Sequence, residues 1–292
     1  SAVELMDRAS LRSVENKAGM PDYLKNLSDT TTALLVETRA HSGDELHDQI
    51  RTIIASLESI ETERSIEFTD KVEAYTNLWN IRKGLFPAVG AVRDVGTTVI
   101  IEDVAFPIQR LAEATLDLQA LFVKYHYDEA IIFGHALEGN LHFVFTQDFG
   151  TSREIERYRK FMHAVCEMVV DKYDGSLKAE HGTGRNMAPY VEMEWGAEAY
   201  AIVKRIKEIF DPGYLLNPGV VINQNPNVHV ENLKPLPQTH PIVDKCIECG
   251  FCETCCPSKD LTLTPRHRIV IQREISRLQT TGEDPKRLRA LE

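Results

Sequence analysis

Short runs of β-branched and apolar residues alternate along the chain with longer stretches whose apolar positions recur every three or four residues. The short runs predict strands over 2–7, 32–39, 97–106, 129–136 and 141–147. The longer ones predict helices over 44–60, 69–85, 107–125, 151–172 and 195–209. Thr151 and Ser152, ahead of Glu154, supply the hydroxyl-then-acid start of the helix at 151. Asp211-Pro212-Gly213 stops the helix near 195, because the residue before a proline is pushed out of helical conformation. The last two strands are separated by too few residues for a parallel crossover, so they pair antiparallel. The expected class is α+β, a largely antiparallel sheet covered by helices.

From Asn223 to His240 the composition shifts to Asn, Pro, Gln and Val, including Pro235-Leu236-Pro237, and reads as an extended linker over 223–245. A further helix is expected at 264–279. The 292 residues carry 44 acidic against 33 basic side chains, a formal charge of −11, which argues against a nucleic-acid partner. No apolar run approaches the roughly 20 residues of a membrane span. The chain opens without an initiator Met and stops inside the basic stretch Lys286-Arg287-Leu288-Arg289, so it reads as an internal piece of a longer protein.

Five of the six cysteines fall between Cys246 and Cys256. A disulfide framework would be spread through the chain, so the clustering points to metal or cluster ligation in a reducing, cytoplasmic setting. Cys166, in an apolar helical pattern, reads as a buried thiol. Cys246, Cys249, Cys252 and Cys256, the last followed by Pro257, have the C-x2-C-x2-C-x3-C-P spacing of bacterial ferredoxins, with Gly250 allowing the tight backbone. A zinc knuckle would need a second two-cysteine hook, and none is present. Only one such run exists, so the expected 4Fe-4S site is incomplete in this chain, with Cys255 as an improvised fourth ligand. Residues 246–292 then form the start of a truncated ferredoxin-type module.

Two histidines flank a tight turn in Gly134-His135-Ala136-Leu137-Glu138-Gly139-Asn140-Leu141-His142. With Glu138-Gly139 as a two-residue loop, His135 and His142 lie directly opposite, their Cβ atoms about 4.5–5.5 Å apart. Such a pair can share a divalent ion or be two half-buried sheet residues. Glu180, next to His181 in Glu180-His181-Gly182-Thr183-Gly184, offers a third ligand, and His181 a general base. No glycine-rich phosphate loop occurs in the chain.

Together these segments resemble the C-terminal substrate domain of FAD-linked oxidases of the vanillyl-alcohol-oxidase type, over about residues 1–222. The carrying motifs are Trp79-Asn80-Ile81-Arg82, Glu102-Asp103-Val104-Ala105-Phe106-Pro107, the histidine hairpin, the E-H-G-T-G run and Asp211 to Gly219. Within that group the chain is similar to D-lactate and D-2-hydroxyglutarate dehydrogenases, in the subgroup whose flavin and cluster domains share one long chain. The resemblance implies that His135, His142 and Glu180 bind a divalent metal, expected to be zinc, and that His181 takes the substrate's hydroxyl proton. It implies that Arg82 grips the C1 carboxylate and that Asn217 approaches the flavin. FAD would be held mainly by an N-terminal domain preceding Ser1, so the fragment alone is expected to be inactive. Electrons would pass through the clusters to a quinone or redox protein, in the cytoplasm or peripherally at the inner face of the membrane.

The sequence departs from the hydroxyglutarate pattern at two points. The strand at 97–101 lacks the expected lysine, and Val144 stands where an asparagine is expected. Lys83, Arg93 or Arg185 are the available substitutes for gripping a distal carboxylate. Two other classes compete: an electron-transfer or interaction subunit without chemistry of its own, and a metal-dependent hydrolase that would leave the cysteine run without a role.

Overall fold

A computed structural model describes residues 1–234 and 236–292; Pro235, in the predicted linker, lies outside the described residues. The chain runs β1 (Ala2–Met6), α1 (Arg8–Val14), β2 (Ala33–Glu37), α2 (Gly43–Leu57), α3 (Val72–Lys83), α4 (Leu85–Val92), β3 (Thr98–Ala105), α5 (Leu111–Tyr125), β4 (Ile131–His135) and β5 (Asn140–Gln147). It continues through α6 (Ser152–Glu167), α7 (Val191–Phe210), α8 (Pro241–Asp244), α9 (Pro265–Thr281) and α10 (Pro285–Leu291). The five strands form one antiparallel sheet in the order β2-β1-β4-β5-β3. The α+β expectation therefore holds, and all five predicted strands are present.

Strand alternation decides what each face buries. On β5, Leu141, Phe143 and Phe145 point to one side, where α5 and α6 supply Leu118, Phe122, Phe161 and Val165. Most rings there meet edge-on or tilted, with Tyr127 4.7 Å from both Phe145 and Phe161, while Phe143 and Phe145 lie near-parallel at 14°. Val144, with Met6, Ile131 and Phe133, points to the other side against Leu11, Val14, Ile81 and Leu85 from α1, α3 and α4. The central strand is buried on both faces, which fixes its register, since a one-residue slip would exchange the two sets.

Three helix boundaries differ from the pattern. The helix expected over 69–85 is α3, which ends at Lys83, and a further helix that the pattern did not give, α4, follows at once from Leu85 after Gly84. Pro87 lies in the first turn of α4, where its absent N–H is not needed. The helix expected over 151–172 ends its α-turns at Glu167 and passes into a π-turn over Met168–Lys172. Gly196 breaks the regular path of α7 with φ 77°. Within the span expected to be a linker lie a 3-10 turn over Val228–Val230 and the short helix α8, and the turn docks: His229 is buried against Tyr190, with ring centroids 5.5 Å apart.

Candidate metal and substrate site

Four polar side chains lie in a row across the α3/α4 face of the sheet. Glu4 of β1 pairs with His135 of β4, Phe133 of β4 with His142 of β5, and His142 with Asp103 of β3. The predicted pairing of His135 with His142 is corrected, because His135 pairs with Asn140. The turn is longer than expected, a 3-10 turn over Ala136–Glu138 closed by Gly139 at φ 72°. Phe106 fixes it: its N–H donates to the Gly139 carbonyl, and a Cβ on Gly139 would lie 2.1 Å from the Phe106 carbonyl oxygen. The slip is by two residues, so both imidazoles stay on one face as diagonal neighbours, ring centroids 5.3 Å apart at 87°.

The next contribution comes from the segment after α6. Ser176 and Ala105 exchange both backbone hydrogen bonds at 2.9 Å, extending the end of β3. Gly175 makes the close approach possible, since a Cβ there would lie 2.5 Å from the Ala105 carbonyl oxygen. The buried Asp103 carboxylate then accepts the backbone N–H groups of Glu180, at 2.6 Å, and His181, at 3.2 Å. Burial pushes the Asp103 pKa up, but these bonds and Lys178 outweigh it and hold the carboxyl below its usual value. Lys178 also pairs with Glu102, whose own pKa burial raises.

Glu180 Oε1 consequently stands 3.0 Å from His142 Nε2 and 3.5 Å from His135 Nε2. One ligand atom from each of the three residues lies within 4.8 Å of the others. His142 is 4% exposed, and its desolvation, with His181 adding to it, lowers its pKa to about 4. It is therefore neutral at physiological pH with a lone pair to offer. Two imidazoles and a carboxylate suit a zinc-like ion with an open position.

His181 stacks on His142 at 4.9 Å and 19°, with its Nδ1 3.3 Å from Asp103 Oδ1. Arg82, from α3, lies over the Phe133 ring at 4.4 Å and donates from Nε to Glu4 Oε2 at 2.7 Å. A cleft of about 560 Å³ opens onto Glu4, His135, Asn140, Lys178 and Glu180. A second cavity, of about 380 Å³, is lined by Asp94, His126, Asp148 and Arg157 and touches none of these ligands. The structure thus gathers His135, His142, Glu180, His181 and Arg82. Sequence reasoning gave no role to Glu4, Asp103 or Lys178. The available signal was an adjacent acid pair, Glu102-Asp103, inside an otherwise apolar strand.

Asn217 is exposed at φ 45° and is not part of this cluster. Its segment folds back beside it: Asp211 accepts the N–H groups of Leu215 and Leu216, Arg185 donates to the Pro218 carbonyl, and Val221 N–H donates to Gly184. Of the proposed carboxylate-gripping substitutes, Arg93 is withdrawn. It is buried and donates to the carbonyls of Asp244 and Cys246. Cys246 and Cys256 are half-buried, and Cys249, Cys252 and Cys255 are exposed; all are free thiols. A hydrogen bond with Ser258 lowers the Cys256 pKa.

Residues 1–221 match the family described as FAD linked oxidases, C-terminal domain, and the chain belongs to it. Over 234 residues it is 31% identical to the D-lactate dehydrogenase [cytochrome], mitochondrial, of Arabidopsis thaliana, covering 76% of this chain and 37% of that one. It is 27% identical over 222 residues to the glycolate oxidase subunit GlcD of Bacillus subtilis, covering 75% and 44%. It is 29% identical over 200 residues to the D-2-hydroxyglutarate dehydrogenase of Pseudomonas putida, covering 66% and 19%. The chain therefore spans less than half the length of these relatives. Among the described residues, no helix is long and apolar enough to cross a membrane.

Proposed function

We propose that this chain is the substrate- and metal-binding part of an FAD-linked dehydrogenase that converts a D-2-hydroxyacid, D-lactate or D-2-hydroxyglutarate, to its 2-oxoacid. The observation that carries the reading is the convergence of His135, His142 and Glu180 within 4.8 Å, with His181 stacked beside them. His135, His142 and Glu180 would hold a divalent ion, zinc being the best fit to the donor set. When bound, that ion supplies Lewis acidity and the flavin a hydride acceptor. The FAD is held mainly by another part of the full-length protein, with Asn217 in the segment that approaches it.

His181 is the general base. With Nδ1 turned toward Asp103, its Nε2 is left as the atom that takes the hydroxyl proton. Asp103 fixes both the ring and the backbone that carries it. Arg82 receives the substrate carboxylate on the part of its guanidinium that Glu4 does not occupy. Orientation of the C2–H bond follows from holding the substrate at these two points.

We also propose that Cys246, Cys249, Cys252 and Cys256 ligate iron–sulfur clusters that carry electrons onward to a quinone or redox protein. Their ferredoxin spacing supports this, as does the fraction of the Pseudomonas putida relative left outside the match, which is large enough for further domains.

The test is metal analysis of the purified chain, joined to dye reduction by the full-length protein with D-lactate, D-2-hydroxyglutarate and glycolate. About one zinc per chain, lost in His135→Ala, and turnover of a D-2-hydroxyacid are expected. A metal-free chain, or turnover that survives His181→Ala undiminished, would refute the assignment.

A further inference from the structure

We infer that Glu4 is a positioning residue that ties the ion-binding imidazole of His135 to the carboxylate-gripping guanidinium of Arg82. The inference rests on the metal and substrate roles proposed above and adds a residue to them. Glu4 is 3% exposed and sits where β1 pairs with β4, directly opposite His135. Its two carboxylate oxygens have separate partners. Oε1 is 2.6 Å from His135 Nδ1, and Oε2 accepts from Arg82 Nε at 2.7 Å. Because Oε1 has no hydrogen to give, the close contact makes Nδ1 the protonated nitrogen of His135. The Nε2 lone pair is then left toward Glu180, as an ion requires.

The two imidazoles differ in this respect. Nδ1 of His142 is buried and has no hydrogen-bond partner among the described residues, so no carboxylate holds that ring from behind; packing, the sheet and the Glu180 contact at Nε2 orient it. His135 is more open, its side chain 35% exposed, and would be free to turn without Glu4. Arg82 has the same need. Phe133 holds it from one side and Glu4 from the edge, and no other hydrogen bond reaches its guanidinium among the described residues. A single carboxylate on a buried strand thereby sets the spacing between the ion and the point where a 2-hydroxyacid's carboxylate binds. That spacing decides whether the hydroxyl and carboxylate of one substrate can be held together.

Three measurements test this. In the unmodified chain, long-range proton–nitrogen NMR of labelled histidines should show His135 protonated at Nδ1; protonation at Nε2 would overturn the inference without any variant. By competition with a chromogenic chelator, Glu4→Gln should bind Zn2+ about 10- to 100-fold more weakly than the unmodified chain. Glu4→Asp, which keeps the charge on a side chain one methylene shorter, should fall between the two and serves if Glu4→Gln does not fold. In the full-length flavoenzyme, saturating Zn2+ should restore kcat to Glu4→Gln while leaving its KM for the hydroxyacid raised severalfold. An unmodified chain that binds no Zn2+ counts against the metal site itself. Unchanged Zn2+ affinity in the folded variants, with the unmodified chain binding, overturns the role of Glu4 alone.

Discussion

The chain carries two candidate inorganic sites built in opposite ways. Around His135, His142 and Glu180 the ligands stand on strands, or on a segment hydrogen-bonded to a strand, and buried carboxylates hold them from behind. The cysteine run from Cys246 to Cys256 lies on irregular backbone and turns with most of its thiols exposed; Glu248 and Glu253 pair with Arg273 and Arg266, and the buried anchor is at its start. There the buried guanidinia of Arg93 and Arg273 both donate to the Cys246 carbonyl, and Ile247 packs onto Gly90 of α4. A site for one small ion can be finished by the sheet before the ion arrives. A loop that must wrap a larger cluster is shaped by what it wraps.

This contrast predicts that the sites are separable. His142→Ala should abolish tight zinc binding and leave iron reconstitution of the cysteine run unchanged, and Cys249→Ser should do the reverse; metal analysis of both variants checks it. Joint loss in either variant would mean that one site depends on the other.

The strand-built site should also show in the pH dependence of stability. His142 titrates in the folded chain near pH 4, against 6.5 ordinarily, so the unfolded chain binds that proton more tightly. Its contribution is complete above about pH 6.5 and is lost as pH falls toward 4, amounting to about 3 kcal/mol when fully developed. Urea unfolding of the zinc-free chain from pH 7 to 4, subtracted from the same series for His142→Gln, should isolate that slope.

Asp103→Asn should lower stability by about 2 kcal/mol, because two N–H donors and Lys178 lose a charged acceptor. In the full-length enzyme it should also cut kcat by roughly 100-fold, by freeing the His181 ring. Loss of stability without loss of rate would remove Asp103 from the site. The smallest effect is expected at the anchor of the cysteine run. Gly90→Ala would put a Cβ 2.5 Å from Ile247 Cγ2, costing about 1 kcal/mol and speeding amide exchange over residues 244–248, with zinc affinity untouched.

How much of this was legible depended on how local the cause was. Strands and helices followed from apolar spacing, and the histidine hairpin from two short runs around a glycine. The turn was misjudged because Phe106, far from it in sequence, sets its length. Facing survived because the error was even. Glu4 was not legible as a site residue, since its importance comes from the strand order β1-β4-β5-β3, which no local pattern reveals; Asp103 left only the hint of an acid pair in an apolar strand. The helix α4 was missed because its eight residues, Leu85–Val92, are almost uniformly apolar and show no polar face to mark a helical period.

The segment bearing Glu180 and His181 is fastened unequally along its length. Upstream, Ser176 is joined to Ala105, and the two backbone amides of Glu180 and His181 end on Asp103. Downstream, Gly182 and Gly184 adopt φ of 75° and 60°, and an added Cβ at Gly182 would meet nothing within 4 Å. Any breathing that admits a bulkier hydroxyacid should therefore be confined to the stretch from Gly182 to Gly184, because Asn186 beyond it is held by Glu102 and Tyr158 and Met187 is buried. The proton acceptor would keep its aim while the doorway changes width.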